Sequence, residues 1–252
     1  MTTPIVFIDI DGTLLPDRVW MSPDNHTLKQ SIMACKRDGK VWYNDWELKK
    51  QVRFDGPAVT FFNAWIEFSG AKIVVSSSWT FYTSKEQLQE LFTLNGLRGD
   101  FHEDWTMPDH FTPRGRCSDL SEWLSDHPEV ENYLVVDDDT TVHGLVEANK
   151  QTAKHAKTVL KHWKHKAKQG EYPTDPWDTF QFERALNPHY HKMAGKVIEV
   201  DSQNGITLAQ FYEGCKILNI DVADIYERWY GVKKLTPEEQ QERDDLLMSL
   251  IC

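Results

Sequence analysis

The chain has 252 residues, is 40% hydrophobic and carries a formal charge of −11. That length suits one α/β domain with insertions, and the apolar fraction is enough for a sizeable core. The acidic balance argues against broad, sequence-independent binding to nucleic acid, and no apolar run is long enough to span a membrane.

The first element is a buried strand over Ile5–Ile10, short, continuous and rich in β-branched residues. It runs into Asp9, Asp11, Gly12 and Thr13. A run this short, broken by two aspartates, is unlike a secretory signal. Leu14 to Asp55 reads as irregular, with Trp20, Trp42, Tyr43 and Trp46 set among polar residues. A helix is predicted over Pro57–Phe68, with Phe61, Phe62, Trp65 and Phe68 on its apolar face and Ser69-Gly70 as its stop. A second buried strand, Ala71–Val75, leads into Ser76, Ser77, Ser78 and Trp79.

Ser84 with Gln87 forms a capping-box pattern, and Gly96 ends the helix it opens. Residues 97–115 read as a loop. A helix from about Ser118 places Leu120, Trp123 and Leu124 on one face, and Tyr133–Val136 is a third buried strand ending in Asp137, Asp138 and Asp139.

A lysine-rich helix is expected over roughly 144–169. Between Lys150 and Gly170 there are seven lysines and no acid, so the rest of the chain is more acidic than its total implies. A Pro/aromatic/His segment follows to about 195, then a fourth strand at Lys196–Val200, a helix capped by Thr207 and Gln210, a helix over Asp221–Tyr230, and a last helix opened by Thr236-Pro237-Glu238-Glu239. Four scattered cysteines (Cys35, Cys117, Cys215, Cys252), with no CxxC, suit free thiols in a reducing, cytoplasmic setting.

Apolar strands alternating with helices imply a parallel sheet covered on both faces, whose reactive groups gather beyond the carboxyl ends of the strands. Those ends carry Asp9 and Asp11, three serines, and Asp137 to Asp139. Carboxylates held close repel one another unless some protonate or a cation joins them. A Mg²⁺ ion suits such a set, often with a substrate phosphate completing its shell. Phosphoryl transfer is the chemistry to expect.

The blander readings remain. Asp9 and Asp11 could be a structural turn or an N-cap, the serines turn residues, Asp137–Asp139 a solvated turn or calcium site, and the lysine helix a solvated face. Trp42, Tyr43 and Trp46 suit packing better than a nucleobase platform, for which Trp79 is the better candidate. His189-x-His191 and His162-x-x-His165 lack the nearby cysteines of a zinc site.

"DIDGT" after one strand, "VVSSS" ending the next, an Arg before a helix, and "VVDDD" resemble the four motifs of the haloacid dehalogenase (HAD) superfamily of phosphatases. The resemblance implies a Rossmann-like α/β core over about 1–15, 56–140 and 196–218. It also implies a small cap insertion over about 16–55, a lysine-rich insertion over about 141–195 and C-terminal helices over 219–252. It further implies that Asp9 is the nucleophile forming an aspartyl-phosphate, and that Asp11 protonates the leaving oxygen and then activates water. Thr13 would orient the turn. Ser76, or Ser77 if the register shifts by one, would donate to a phosphate oxygen. Asp138 would hold Mg²⁺ with Asp137 in support, alongside Asp9 and the backbone carbonyl of Asp11.

The basic residue of the third motif would be Arg116 or Arg114. Arg116 is preferred, because Trp123-Leu124 follows it at the spacing seen in a subgroup that resembles RNA-repair-associated phosphatase domains. "VIEVDSQNGITL" at 197–208 is similar to the end of that subgroup's core. In size the chain is similar to phage deoxynucleoside 5′-monophosphatases of the same superfamily. The expected substrate is therefore a small phosphorylated molecule, a nucleoside monophosphate, with no stable nucleic-acid complex and no membrane partner. The alternative is a phosphatase acting on DNA or RNA ends.

Overall fold

Ile5–Ile8 (β1) is the centre of the sheet in the computed structural model, and its sequence explains why. Ile5, Val6, Phe7 and Ile8 are all buried, so both faces of the strand are covered. The structure describes residues 2–37, 45–107, 116–138, 158, 161–166, 168–170, 193, 195–239 and 241–242.

Among the described residues, four further strands join β1: β2 (Lys72–Val75), β3 (Phe101–Thr106), β4 (Tyr133–Asp137) and β5 (Val197–Glu199). All pairings are parallel, in the order β3-β2-β1-β4-β5. Side chains alternate across such strands. Val6 and Ile8 join one apolar cluster, whereas Ile5 and Phe7 join another on the opposite face.

The first face is covered by α4 (Gly56–Ser69) and α7 (Leu208–Ile217). Asp55 caps α4 by accepting from Ala58 N–H at 3.2 Å, and Gly70 closes it at φ +68°. Trp65 on α4 donates its indole N–H to Phe211 O (3.1 Å). A Cβ at Gly214 would lie 2.5 Å from the same ring, so α7 packs this closely only because that position has no side chain. The second face is covered by α6 (Arg116–Asp126), with Leu120, Trp123 and Leu124 buried as expected. Phe7 meets Trp123 edge to face at 5.0 Å. Burying a side chain of that size contributes about 1.5–3 kcal/mol. α5 (Lys85–Leu94) carries the predicted capping box of Ser84 and Gln87, and α8 (Val222–Tyr230) follows α7.

Two stretches differ from the sequence expectation. Residues 14–55, read as irregular, contain α1 (Asp17–Trp20), α2 (Pro23–Arg37) and α3 (Trp46–Lys49). Their apolar stripe is thin. Leu28 and Ile32, one turn apart on α2, are buried while Met33 is exposed, and with Val19, Val52 and Phe54 they join the main core. Residues 97–115, read as loop, contain β3. It is an edge strand, FHEDWT, with only Phe101 buried, so it lacks the apolar run that marks the other strands. Residues 161–166 are helical, in keeping with the lysine-rich helix. The rest of that helix and the end of the C-terminal one lie outside the described residues.

The loop after β1 is braced by the turn after β5. Asp17 N–H donates to Ser202 O (2.8 Å), and Gln203 Nε2 donates to Asp17 Oδ2 (2.7 Å). Arg18 reaches both Asn204 O (3.2 Å) and the buried Asp55 (2.7 Å).

Candidate active site

The register of the sheet sets the site. Ile8 pairs with both Val75 and Val136, so the next residues of β1, β2 and β4 form one row: Asp9, Ser76 and Asp137. Asp9 N–H donates to Val136 O (3.1 Å) and Ser76 N–H to Ile8 O (2.9 Å), which fixes that row through the backbone.

Asp9 is 3% exposed and Asp137 fully buried. One oxygen each of Asp9, Asp137 and Asp138 lies within 4.8 Å of the others. Arg116, at the start of α6, pairs with Asp9 Oδ1 (3.0 Å) and with Asp137 Oδ2. Among the described residues, one guanidinium thus faces three carboxylates. Burial pushes the Asp9 carboxyl well above the usual carboxylate range; Arg116 pulls it down, and Asp137, Asp11 and Asp138 push it up. Asp138 is raised by burial and then by Asp137. Clustered hard oxygen donors with excess negative charge fit a divalent cation.

Gly12 lets the cluster close. It has φ +76°, and a Cβ there would lie 2.1 Å from Asp138 Oδ2. Asp11 is on the solvent side of the turn, and Trp79 Nε1 donates to its Oδ2 (2.9 Å). Partial desolvation raises the Asp11 carboxyl, while the Trp79 N–H and Arg116 lower it.

Two buried hydroxyls, Ser76 Oγ and Thr13 Oγ1, have no hydrogen-bond partner among the described residues. A buried hydroxyl left unpaired is costly, so a ligand oxygen at either one would be stabilising. Ser77 is also buried, and its Oγ accepts from Trp79 N–H (3.5 Å) at the start of a 3₁₀ turn, Ser78–Tyr82. Trp79 is 5% exposed, with its N–H turned to Asp11, so little of its ring faces solvent. Arg114, Asp139, Trp42, Tyr43, His189 and His191 lie outside the described residues. Trp46 packs against the main core.

Lys49 was not legible from sequence. It is 2% exposed, and its Nζ donates to Thr83 Oγ1 (2.5 Å) and Tyr82 O (3.2 Å). The ammonium lies 5.5 Å from the Trp79 ring centroid. Burial lowers it to about 8, against the pull of Asp11. Nothing in WELKKQV separates Lys49 from its neighbour Lys50, which pairs with Glu47 at the surface.

A parallel sheet flanked by helices on both faces, with an aspartate pair after its central strand and a second acidic strand end beside it, defines a Rossmann-like HAD core of the phosphatase class. A family model described as the HAD domain in Swiss Army Knife RNA repair proteins matches residues 5–163, and the chain belongs to that family. No curated protein and no solved structure gives a significant match. Among the described residues, no helix is long and apolar enough to cross a membrane.

Proposed function

We propose that the protein hydrolyses the terminal phosphomonoester of an RNA strand through an aspartyl-phosphate on Asp9. One observation carries this reading: the Asp9, Asp137, Asp138 and Arg116 cluster sits in a chain of the RNA-repair HAD family. A carboxylate of Asp9 attacks phosphorus, forming the acyl-phosphate bond as the bond to the ribose oxygen breaks, and Asp11 gives its proton to that oxygen. Asp11 then takes a proton from water, whose oxygen attacks phosphorus. Phosphate leaves and Asp9 is restored.

Ser76 Oγ, which has no partner among the described residues, would donate to a phosphoryl oxygen. Arg116 offsets charge on the nucleophile and the phosphoryl group. Trp79 keeps Asp11 oriented, and Lys49 supports that ring from below. Asp9 and Asp138, with Asp137 beside them and the carbonyl of Asp11, would hold Mg²⁺, which when bound offsets the negative charge of the phosphoryl oxygens.

The lysine-rich segment supports a strand rather than a free nucleotide. Lys161, Lys164, Lys166 and Lys168 lie in or next to its helical part, and Lys166 sits over Trp163 at 4.9 Å. The test is phosphate release with Mg²⁺ from 3′- and 5′-phosphorylated oligoribonucleotides, oligodeoxynucleotides and nucleoside monophosphates. We expect fastest release from oligoribonucleotides, falling steeply with salt. Asp9→Asn should lower it by at least about 10³-fold. Release confined to monophosphates would make the enzyme a nucleotidase, and no Asp9-dependent release would overturn the phosphatase reading.

A further inference from the structure

A second polar cluster lies at the other end of α6, away from the carboxylates. α6 begins at Arg116 in the catalytic cluster and runs for 11 residues, about 16 Å at 1.5 Å per residue. Just beyond its last turn is His127. Facing it are His102 and Asp104 of β3, two residues apart and therefore on the same side of that edge strand. One ligand-type atom of each residue lies within 4.8 Å of the others.

The rings are held in place. His127 stacks on Trp123 at 3.7 Å, and His102 meets both rings edge-on at 5.1 Å. His127 Nδ1 is 2.8 Å from Trp123 O, and its Nε2 is 2.9 Å from Asp104 Oδ2. A carbonyl only accepts, so Nδ1 carries a proton. That leaves Nε2 as the atom able to bind a metal, and it points at the carboxylate. Histidines that bind metals show this arrangement: the ring nitrogen away from the metal donates to a backbone carbonyl, which fixes the tautomer. His102 Nδ1 accepts from Asp104 N–H at 3.1 Å, so that nitrogen carries no proton. A metal at that nitrogen would displace the hydrogen bond from Asp104 N–H, a loss that water can offset at an exposed position.

We propose that His102, Asp104 and His127 form a Zn²⁺ site, with water completing the shell, that ties edge strand β3 to the end of α6. Two imidazoles and one carboxylate suit zinc or a similar transition ion, whereas the all-oxygen cluster at Asp9 suits Mg²⁺. A proton shared between His127 Nε2 and the Asp104 carboxylate leaves to solvent as the metal takes its place. The site shares no residue with the phosphoryl chemistry proposed above, so either inference can fail without the other.

The test is zinc retained per chain after metal removal, incubation with Zn²⁺ in excess Mg²⁺, and gel filtration, with Co²⁺ absorption as a second readout. We expect one retained zinc per chain and tetrahedral Co²⁺ bands. Both should persist in Asp9→Asn. Asp104→Ala, which removes an exposed carboxylate and leaves the Trp123 stack intact, should weaken affinity by at least about tenfold. His102→Ala should do the same. Retention that is lost in Asp9→Asn, or equal in wild type and Asp104→Ala, overturns the proposal.

Discussion

The two ends of α6 hold similar inventories in opposite environments. At its start, Arg116 meets Asp9 and Asp137, both nearly sealed from water. At its far end, His127 meets Asp104, whose side chain is 69% exposed. Charges at the first end have no solvent to relax them, so their pKa values move and their pairing is obligatory. Charges at the second end keep water as an alternative partner, and their pairing is optional. The same helix therefore carries a strained, electrostatically committed site and a relaxed one.

Removing the partner at the dry end should have the largest effect. Arg116→Ala leaves Asp9 and Asp137 buried without their cation, and breaking a buried pair on one side costs about 3–5 kcal/mol. We expect a clear fall in melting temperature at neutral pH without divalent ions. The loss should shrink on acidification, because the carboxyls can then protonate, and Mg²⁺ should restore part of it. Equal destabilisation at all pH values and no effect of Mg²⁺ would mean that Arg116 acts by packing alone.

The pH dependence of the intact protein is the next test. Asp9 and Asp138 are raised in the folded state. Between the ordinary carboxylate value and the raised one, the folded chain holds more protons than the unfolded chain. Metal-free stability must therefore fall as pH rises through that window, by about 1.4 kcal/mol per pH unit for each proton. Mg²⁺ removes the cause. The melting-temperature gain from Mg²⁺ should be larger at about pH 8 than at about pH 5. Equal gains at both would place the bound ion away from these carboxylates.

The dry end was legible in the sequence and the wet end was not. Asp9, Ser76 and Asp137 each follow a buried apolar run, so the strand pattern places each at a strand end, and the parallel register of neighbouring strands then aligns them in one row. Arg116 was preferred for the spacing to Trp123-Leu124 that the chain's resemblance to the RNA-repair subgroup supplied, and the structure sets it against Asp9 and Asp137. β3 was missed because an edge strand with one buried residue has no apolar signature, and with it went the pairing of His102 and Asp104 with His127. Lys49 was missed for a related reason: its burial depends on the 3₁₀ turn after β2, which contributes Tyr82 O and, just beyond it, Thr83 Oγ1. Residues placed by a strong local pattern can be read in advance. Residues placed by a distant, weakly patterned element cannot.

The smallest effect belongs to the wet end. Asp104→Asn keeps the size of the side chain and removes its charge. Exposed ion pairs contribute at most about 1 kcal/mol, and water can replace the carboxylate at His127 Nε2. The metal-free melting temperature should therefore barely move, in contrast to Arg116→Ala at the other end of the same helix. Zinc changes the expectation: an ion held by Asp104 stabilises the wild type, and Asp104→Asn should lose most of that gain. A large metal-free destabilisation would show that the His127–Asp104 pair is shielded from water after all, and the contrast between the two ends of α6 would collapse.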